Sequence, residues 1–124
     1  MNRRVLIALR PVSPVDRMFA VGAALARRLD AGLEVLADPA HPNWSEIEGR
    51  LARLNEGDVN CRLTAKPGLD VRQVVEHARS HECIVSVVVG RPAAWSNAGG
   101  ADQWEKLECP LVAASDHPDL PIEP

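Results

Sequence analysis

Short apolar runs alternate with segments of helical periodicity along almost the whole chain, and this alternation constrains the fold more than any other feature. The runs at residues 5–9 and 84–89 contain only apolar or small residues, as expected for strands buried on both faces of a sheet. Strands that alternate with helices are typical of βαβ units, which form parallel sheets covered by helices. We therefore predict an α/β fold: a doubly wound, five-stranded, mostly parallel sheet with helices on both faces, with strands at residues 5–9, 33–37, 59–65, 84–89 and 110–114.

Two of the predicted helices begin at recognisable capping residues. Ser13 is expected to cap the first helix, with Pro14 at its first position and Asp16 three residues after the cap. Asp70 and Gln73 have the same spacing at the start of the third helix.

The remaining boundaries follow from periodicity. A second helix is predicted over residues 43–56, and a short one over residues 101–107 before the last strand. Apolar and polar residues alternate over residues 59–65, which predicts an edge strand with one solvent-exposed face.

The chain length of 124 residues and the composition indicate one ordinary globular domain, over residues 1–115, followed by an extended proline-rich tail at 116–124. A net charge of −3 and an aromatic content of 3% do not favour nucleic-acid binding, which needs a basic surface and stacking rings. No apolar run approaches the ~18 residues of a membrane span, and the three cysteines form no CxxC pair. We expect a cytoplasmic protein with reduced thiols.

The end of the first strand is where ligand chemistry is expected, because open α/β sheets bind ligands beyond the carboxyl ends of their strands, at the switch in strand order. Arg10 occupies this position.

The chain resembles the universal stress protein family in three features: the order of its elements, the helix and strand at residues 23–36, and the Cys109-Pro110-Leu111-Val112 entry to the last strand. The resemblance covers roughly residues 4–115.

Members of that family that bind ATP carry an aspartate after the first strand and a loop of the form G-x-x-G, nine residues, then G-[S/T]. Arg10 stands at the aspartate position, Gly90 fits the first glycine and Ala93 replaces the second. Nine residues further on, the chain has Gln103-Trp104, and Gly99-Gly100 lies out of register. The resemblance therefore implies a member that does not bind ATP in the family's way.

Arg10 and Arg91 are the candidate site residues for an anion. They follow the first and fourth strands, which are neighbours across the switch point in the usual doubly wound order, close to the start of the first helix. Two guanidinium groups there suit a carboxylate or phosphate. The alternative interpretation is that both are solvated loop residues, or that they pair with Asp16 and Asp102.

Other chemistry-bearing residues also have simpler interpretations. His77 and His81 are four apart on the third helix and could share a metal ion, but no third ligand is evident, and a polar helix face is the simpler interpretation. Trp95 and Trp104 flank the glycine-containing loop, where they either contact a ligand or fill space. No serine, cysteine or carboxylate has a catalytic partner in sequence, so no metal, cofactor or enzymatic activity is expected.

The resemblance implies a regulatory or stress-linked role exercised through protein partners, in a homodimer paired through the last strand, where Ala113 and Ala114 allow close approach. The proline-rich tail at 116–124 could cover that strand edge instead. Two alternatives remain open. One is an ATP- or AMP-binding member in which Gly99 and Gly100 contact the phosphates. The other is a small-anion sensor that uses Arg10 and Arg91.

Overall fold

A computed structural model describes residues 3–11, 13–57, 60–90 and 104–114. These residues form a five-stranded, all-parallel sheet with the strand order β3-β2-β1-β4-β5 and three helices. The predicted doubly wound α/β fold is confirmed. Along the chain, the elements are β1 (Arg4–Leu9), α1 (Val15–Leu29), β2 (Gly32–Ala37), α2 (Trp44–Glu56), β3 (Cys61–Ala65), α3 (Val71–Ser80), β4 (Ile84–Gly90) and β5 (Leu111–Ala114).

Helices cover both faces of the sheet. Alternate side chains of each buried strand therefore enter two separate apolar clusters, one on each face. Val5, Ile7 and Leu9 of β1 pack with α1 and α2, whereas Leu6 and Ala8 pack with α3. All five of these side chains are fully buried. The continuous apolar runs in the sequence thus reflect strands with two covered faces.

The apolar side of α3 packs on the sheet, and its residues Val71, Val74, Val75 and Ala78 are buried. The helix begins with the predicted capping box, in which the Asp70 side chain accepts from the Gln73 N–H and the Gln73 side chain accepts from the Asp70 N–H. Both groups of this box lie within one turn of helix, and the sequence spacing alone is therefore sufficient to specify it.

The prediction that Ser13 caps α1 is wrong. Pro14 occupies the N-cap position, and no side chain caps the helix. The Ser13 hydroxyl instead accepts from the Arg10 backbone N–H at 2.9 Å, while the Ser13 N–H donates to the Arg10 carbonyl at 3.0 Å. Serine forms such local turns readily, and here the turn competes successfully with the cap.

The sheet has two edge strands, β3 and β5, and the prediction of β3 as an edge is confirmed. Residues 101–103 of the short helix predicted over 101–107 lie outside the described residues, as does the tail at 116–124; in the described part, Trp104 is helical and a turn follows it. No helix in the described ranges has the length and apolarity needed to cross a membrane.

Candidate functional site

The switch in strand order lies between β1 and β4, which are parallel neighbours. Arg10 follows β1 directly and Gly90 ends β4, so these two predicted site residues lie at the same edge of the sheet. Arg10 is half-buried. Arg91, Gly99 and Gly100 lie outside the described residues, and their pairing with Arg10 stays a prediction. Asp16, suggested above as a partner for Arg10, forms an ion pair with Arg50 of α2.

The space in front of Gly90 belongs to the start of α1. A Cβ atom at this position would lie 3.4 Å from Met18 Sδ, 3.8 Å from Pro14 Cδ and 3.7 Å from the Ala114 carbonyl oxygen. Contacts of this length are ordinary van der Waals contacts, so the start of α1 packs against the end of β4 and still leaves room for a Cβ atom at this position.

Asp38 follows β2 at the same edge and was not identified as a site residue from the sequence. It is 7% exposed, and both of its carboxylate oxygens accept backbone N–H groups: Oδ1 from Ala40 at 2.9 Å and Oδ2 from Gly68 at 3.1 Å. Gly68 has a φ of +66°, a conformation that favours glycine. Asp38 thus joins the loop after β2 to the loop after β3.

His41 joins the loop after β2 to the loop after β1 and was also missed. Its ring is buried, and its Nδ1 accepts from the Asn43 backbone N–H at 3.0 Å. The ring proton therefore resides on Nε2, which donates to the Ser13 carbonyl at 3.0 Å. The only signal available in the sequence was the turn-forming segment at residues 38–42, where an aspartate directly follows a buried strand.

The carboxyl edge of the described sheet, where the loops after β1, β2 and β3 meet, is consequently held together by hydrogen bonds between the protein's own polar groups. The carboxylate of Asp38, the ring of His41 and the hydroxyl of Ser13 all have partners within neighbouring loops. Such groups hold loops in place, and a ligand would have to displace internal hydrogen bonds to use them.

A second cluster of polar side chains lies on the α3 face, near the amino ends of the strands. Glu34 of β2 is 3% exposed, and its carboxylate accepts from Arg4 at 3.2 Å and from His77 Nε2 at 2.8 Å. The His77 ring stacks on the His81 ring at a centroid distance of 4.2 Å, and His81 Nδ1 donates to the His77 carbonyl at 2.7 Å.

Burial and hydrogen bonding shift the pKa values of Glu34 and His77 in opposite directions. Burial raises the pKa of Glu34, but the hydrogen bonds and charges of His77 and Arg4 outweigh it, so the pKa lies below the ordinary 4.5. Burial lowers the pKa of His77 below 6.5 despite the opposing effect of Glu34, and His81 and Lys66 lower it further. The cluster joins β1 to β2 through the Arg4–Glu34 ion pair and β2 to α3 through the hydrogen bond between His77 and Glu34.

The metal hypothesis for His77 and His81 gains no support from this geometry, because one nitrogen of each ring is held by an internal acceptor. No group of three or more His, Cys, Asp or Glu residues in the described part of the chain is arranged to hold a metal ion. Trp104 is 9% exposed and packs in the α3 cluster, in line with the space-filling interpretation. Trp95 lies outside the described residues.

Comparison with known proteins identifies no relative. No protein-family model, curated protein or solved structure matches the chain. Membership of the universal stress protein family therefore stays a proposal based on the sequence resemblance and on the agreement in fold.

Proposed function

We propose that the chain is a non-catalytic regulatory protein of the universal stress protein type, which forms a homodimer through β5 and acts through protein partners. The observation that carries the proposal is the difference between the two edges of the sheet. At the β3 edge one outward-facing peptide group is covered and an exposed arginine lies in the strand, whereas the β5 strand carries no charge and no described side chain covers its outward-facing peptide groups.

The outer edge of β5 can pair with another strand. Val87 N–H donates to the Pro110 carbonyl, and in a parallel pair alternate residues of a strand bond the same neighbour. The peptide groups of Val112 and Ala114 therefore face β4, and those of Leu111 and Ala113 face away from it. The strand Leu111–Ala114 carries no charge, and Ala113 is exposed.

The outer edge of β3 is protected by comparison. Leu33 N–H donates to the Asn60 carbonyl, so the peptide group of Cys61 faces away from β2. The Asn55 side chain bonds both sides of that peptide, accepting from the Cys61 N–H at 2.9 Å and donating to the Cys61 carbonyl at 3.3 Å. Arg62 also places an exposed charge in the strand, a common means of preventing edge pairing.

No described side chain covers the outward peptide groups of Leu111 and Ala113 in the way that Asn55 covers Cys61. Two copies related by a twofold axis could pair these strands antiparallel, with each outward N–H donating to a carbonyl of the partner. β5 is only four residues long, so the dimer must also use side chains next to the strand.

The arrangement of the carboxyl edge favours a regulatory role rather than nucleotide binding. Asp38 and His41 use their polar atoms within the fold, and Met18 and Pro14 lie against Gly90. The two alternatives, ATP or AMP binding and an anion site at Arg10, each require a ligand that stabilises the fold.

The dimer is tested by measuring the solution mass of the full chain by light scattering after size exclusion. We expect twice the monomer mass of 13.5 kDa. Ala113→Pro removes one outward N–H without removing a β4 hydrogen bond, and it should yield a monomer. Ala65→Pro, the matched change at an outward-facing position of β3, should remain dimeric. A monomeric wild-type chain, or a dimeric Ala113→Pro variant, would contradict the proposal.

A thermal-shift panel of ATP, AMP, phosphate and dicarboxylates at fixed ionic strength separates the alternatives. A ligand present at 100 times its dissociation constant adds about 2.7 kcal/mol of stability, which raises Tm by several degrees in a domain of this size. We expect no shift with any of them. A response to ATP or AMP would establish nucleotide binding, and a response to phosphate alone would favour the anion site.

A further inference from the structure

We propose that the groove between α1 and α2 is a binding site for a small monocarboxylate with an apolar body of about ten non-hydrogen atoms. The groove has a volume of about 280 Å³ and is lined by Phe19, Ala20, Ala23, Arg50, Arg53 and Leu54. It lies on a helical face of the molecule, away from β5, so the site is independent of the proposed function.

The floor of the groove is apolar and is open because α1 presents short side chains there. Ala20 and Ala23 are three residues apart and share one face of α1. Ala20 is exposed and Leu54 is half-buried, so both offer surface to a ligand, whereas Phe19 is 3% exposed and contributes little. An aliphatic or aromatic group placed there would exclude water from these surfaces.

The α2 side of the groove is cationic. Arg50 and Arg53 are also three residues apart, on one face of α2. Asp16 and Glu46 both form ion pairs with Arg50. Arg53 is exposed, and no carboxylate within the described ranges pairs with it. The groove therefore combines an apolar floor with one uncompensated positive charge.

A second, independent observation is an unsatisfied donor on Arg50. Its Nε is buried and makes no hydrogen bond, and it is the one side-chain nitrogen or oxygen in the described residues with this property. Glu46 Oε2 lies 3.5 Å away, which is an ion-pair separation without hydrogen-bond geometry. A buried donor without an acceptor is unfavourable. Because this atom has no accessible surface, a ligand carboxylate can become its acceptor only after the Arg50 side chain releases Asp16 or Glu46 and turns into the groove.

The carboxylates that now pair with Arg50 do not prevent such binding. The side chains of Asp16 and Glu46 are 75% and 41% exposed, so either can return to water at little cost. The volume equals that of roughly nine water molecules at ~30 Å³ each, which is enough for a ligand of about ten non-hydrogen atoms. Octanoate has this size and chemistry.

The site is tested by titrating the ¹⁵N-labelled full chain with octanoate and following its amide resonances. We expect saturable shifts confined to the α1 and α2 residues that line the groove. Acetate, which lacks the apolar body, and octylamine, which has the opposite charge, should produce at least tenfold weaker binding. Absent or scattered shifts, or equal binding of octylamine and octanoate, would overturn the proposal.

Two variants test the two halves of the site. Arg53→Gln should weaken octanoate binding about three- to tenfold, whereas Arg72→Gln, the same charge change on α3 across the sheet, should leave it unchanged. Ala20→Leu should abolish binding by filling the groove, and leucine is a good helix former at an exposed position. Equal affinities of Arg53→Gln and Arg72→Gln, or undiminished binding by a folded Ala20→Leu variant, would overturn the assignment.

Discussion

Two glycines inside helices offer a measurement of how tightly α1 packs on the sheet. A Cβ atom on Gly22 of α1 would lie 2.3 Å from Ile7 Cδ1 and 2.8 Å from Ile7 Cγ1, whereas a Cβ atom on Gly49 of α2 would have no neighbour within 4 Å. Favourable carbon–carbon contacts lie at about 3.5–4.0 Å, so Gly22→Ala creates an overlap of about 1 Å. Ile7 is fully buried and has little room to move.

The two alanine variants differ in this overlap and share the gain in helix propensity. Replacing a glycine inside a helix by alanine stabilises it by up to about 1 kcal/mol, which is the expected result for Gly49→Ala. Overpacking a buried core costs about 1–3 kcal/mol. Because the propensity gain cancels, Gly22→Ala should be less stable than Gly49→Ala by about 1–3 kcal/mol.

Urea unfolding at one protein concentration measures this difference, since the midpoint reports stability when the m value is unchanged. A Gly22→Ala variant as stable as Gly49→Ala would refute the packing of α1 against Ile7.

Three further outcomes are expected. Asp70→Ala should lower the free energy of unfolding by about 1 kcal/mol in urea denaturation, because it removes the capping box of α3. Acidification should destabilise the fold. The pKa of His77 is lowered in the native state, so below about pH 6.5 the unfolded chain takes up more protons than the native protein. The lowered pKa of Glu34 adds the same effect below about pH 4.5. The decline in urea midpoint below pH 6.5 should therefore be smaller in His77→Gln, and an unchanged decline would contradict this assignment. Burial raises the pKa of the Cys61 thiol to about 11, so its reactive thiolate is scarce at pH 8. Peptide mapping after alkylation at pH 8 should therefore find Cys61 labelled last in the native protein, and labelled as fast as the other cysteines in urea.

The fold could be predicted because its signals are local. Continuous apolar runs specify buried strands, and the Asp70–Gln73 box needs only three residues of spacing. Ser13 shows the limit of this reasoning, because a turn bond to Arg10 competed with the helix cap within the same few residues. Sequence spacing does not decide which local bond forms.

The polar contacts at the carboxyl and amino ends of the strands could not be predicted, because they join distant parts of the chain. Asp38 bonds a residue 30 positions away, and His77 bonds one 43 positions away. A charged residue within the apolar second strand was a usable signal, since Glu34 required a buried partner. The sequence did not indicate that the partner would be a histidine on α3.

The most direct test of the account is hydrogen exchange at single amides of β5. The N–H groups of Val112 and Ala114 face β4 and should be protected in any folded state, whereas those of Leu111 and Ala113 face outward. If two copies pair through this edge, the Leu111 and Ala113 amides will be protected as well, and their protection will decrease on dilution. Rapid exchange of Leu111 and Ala113 beside protected Val112 and Ala114, at every protein concentration, would contradict the dimer.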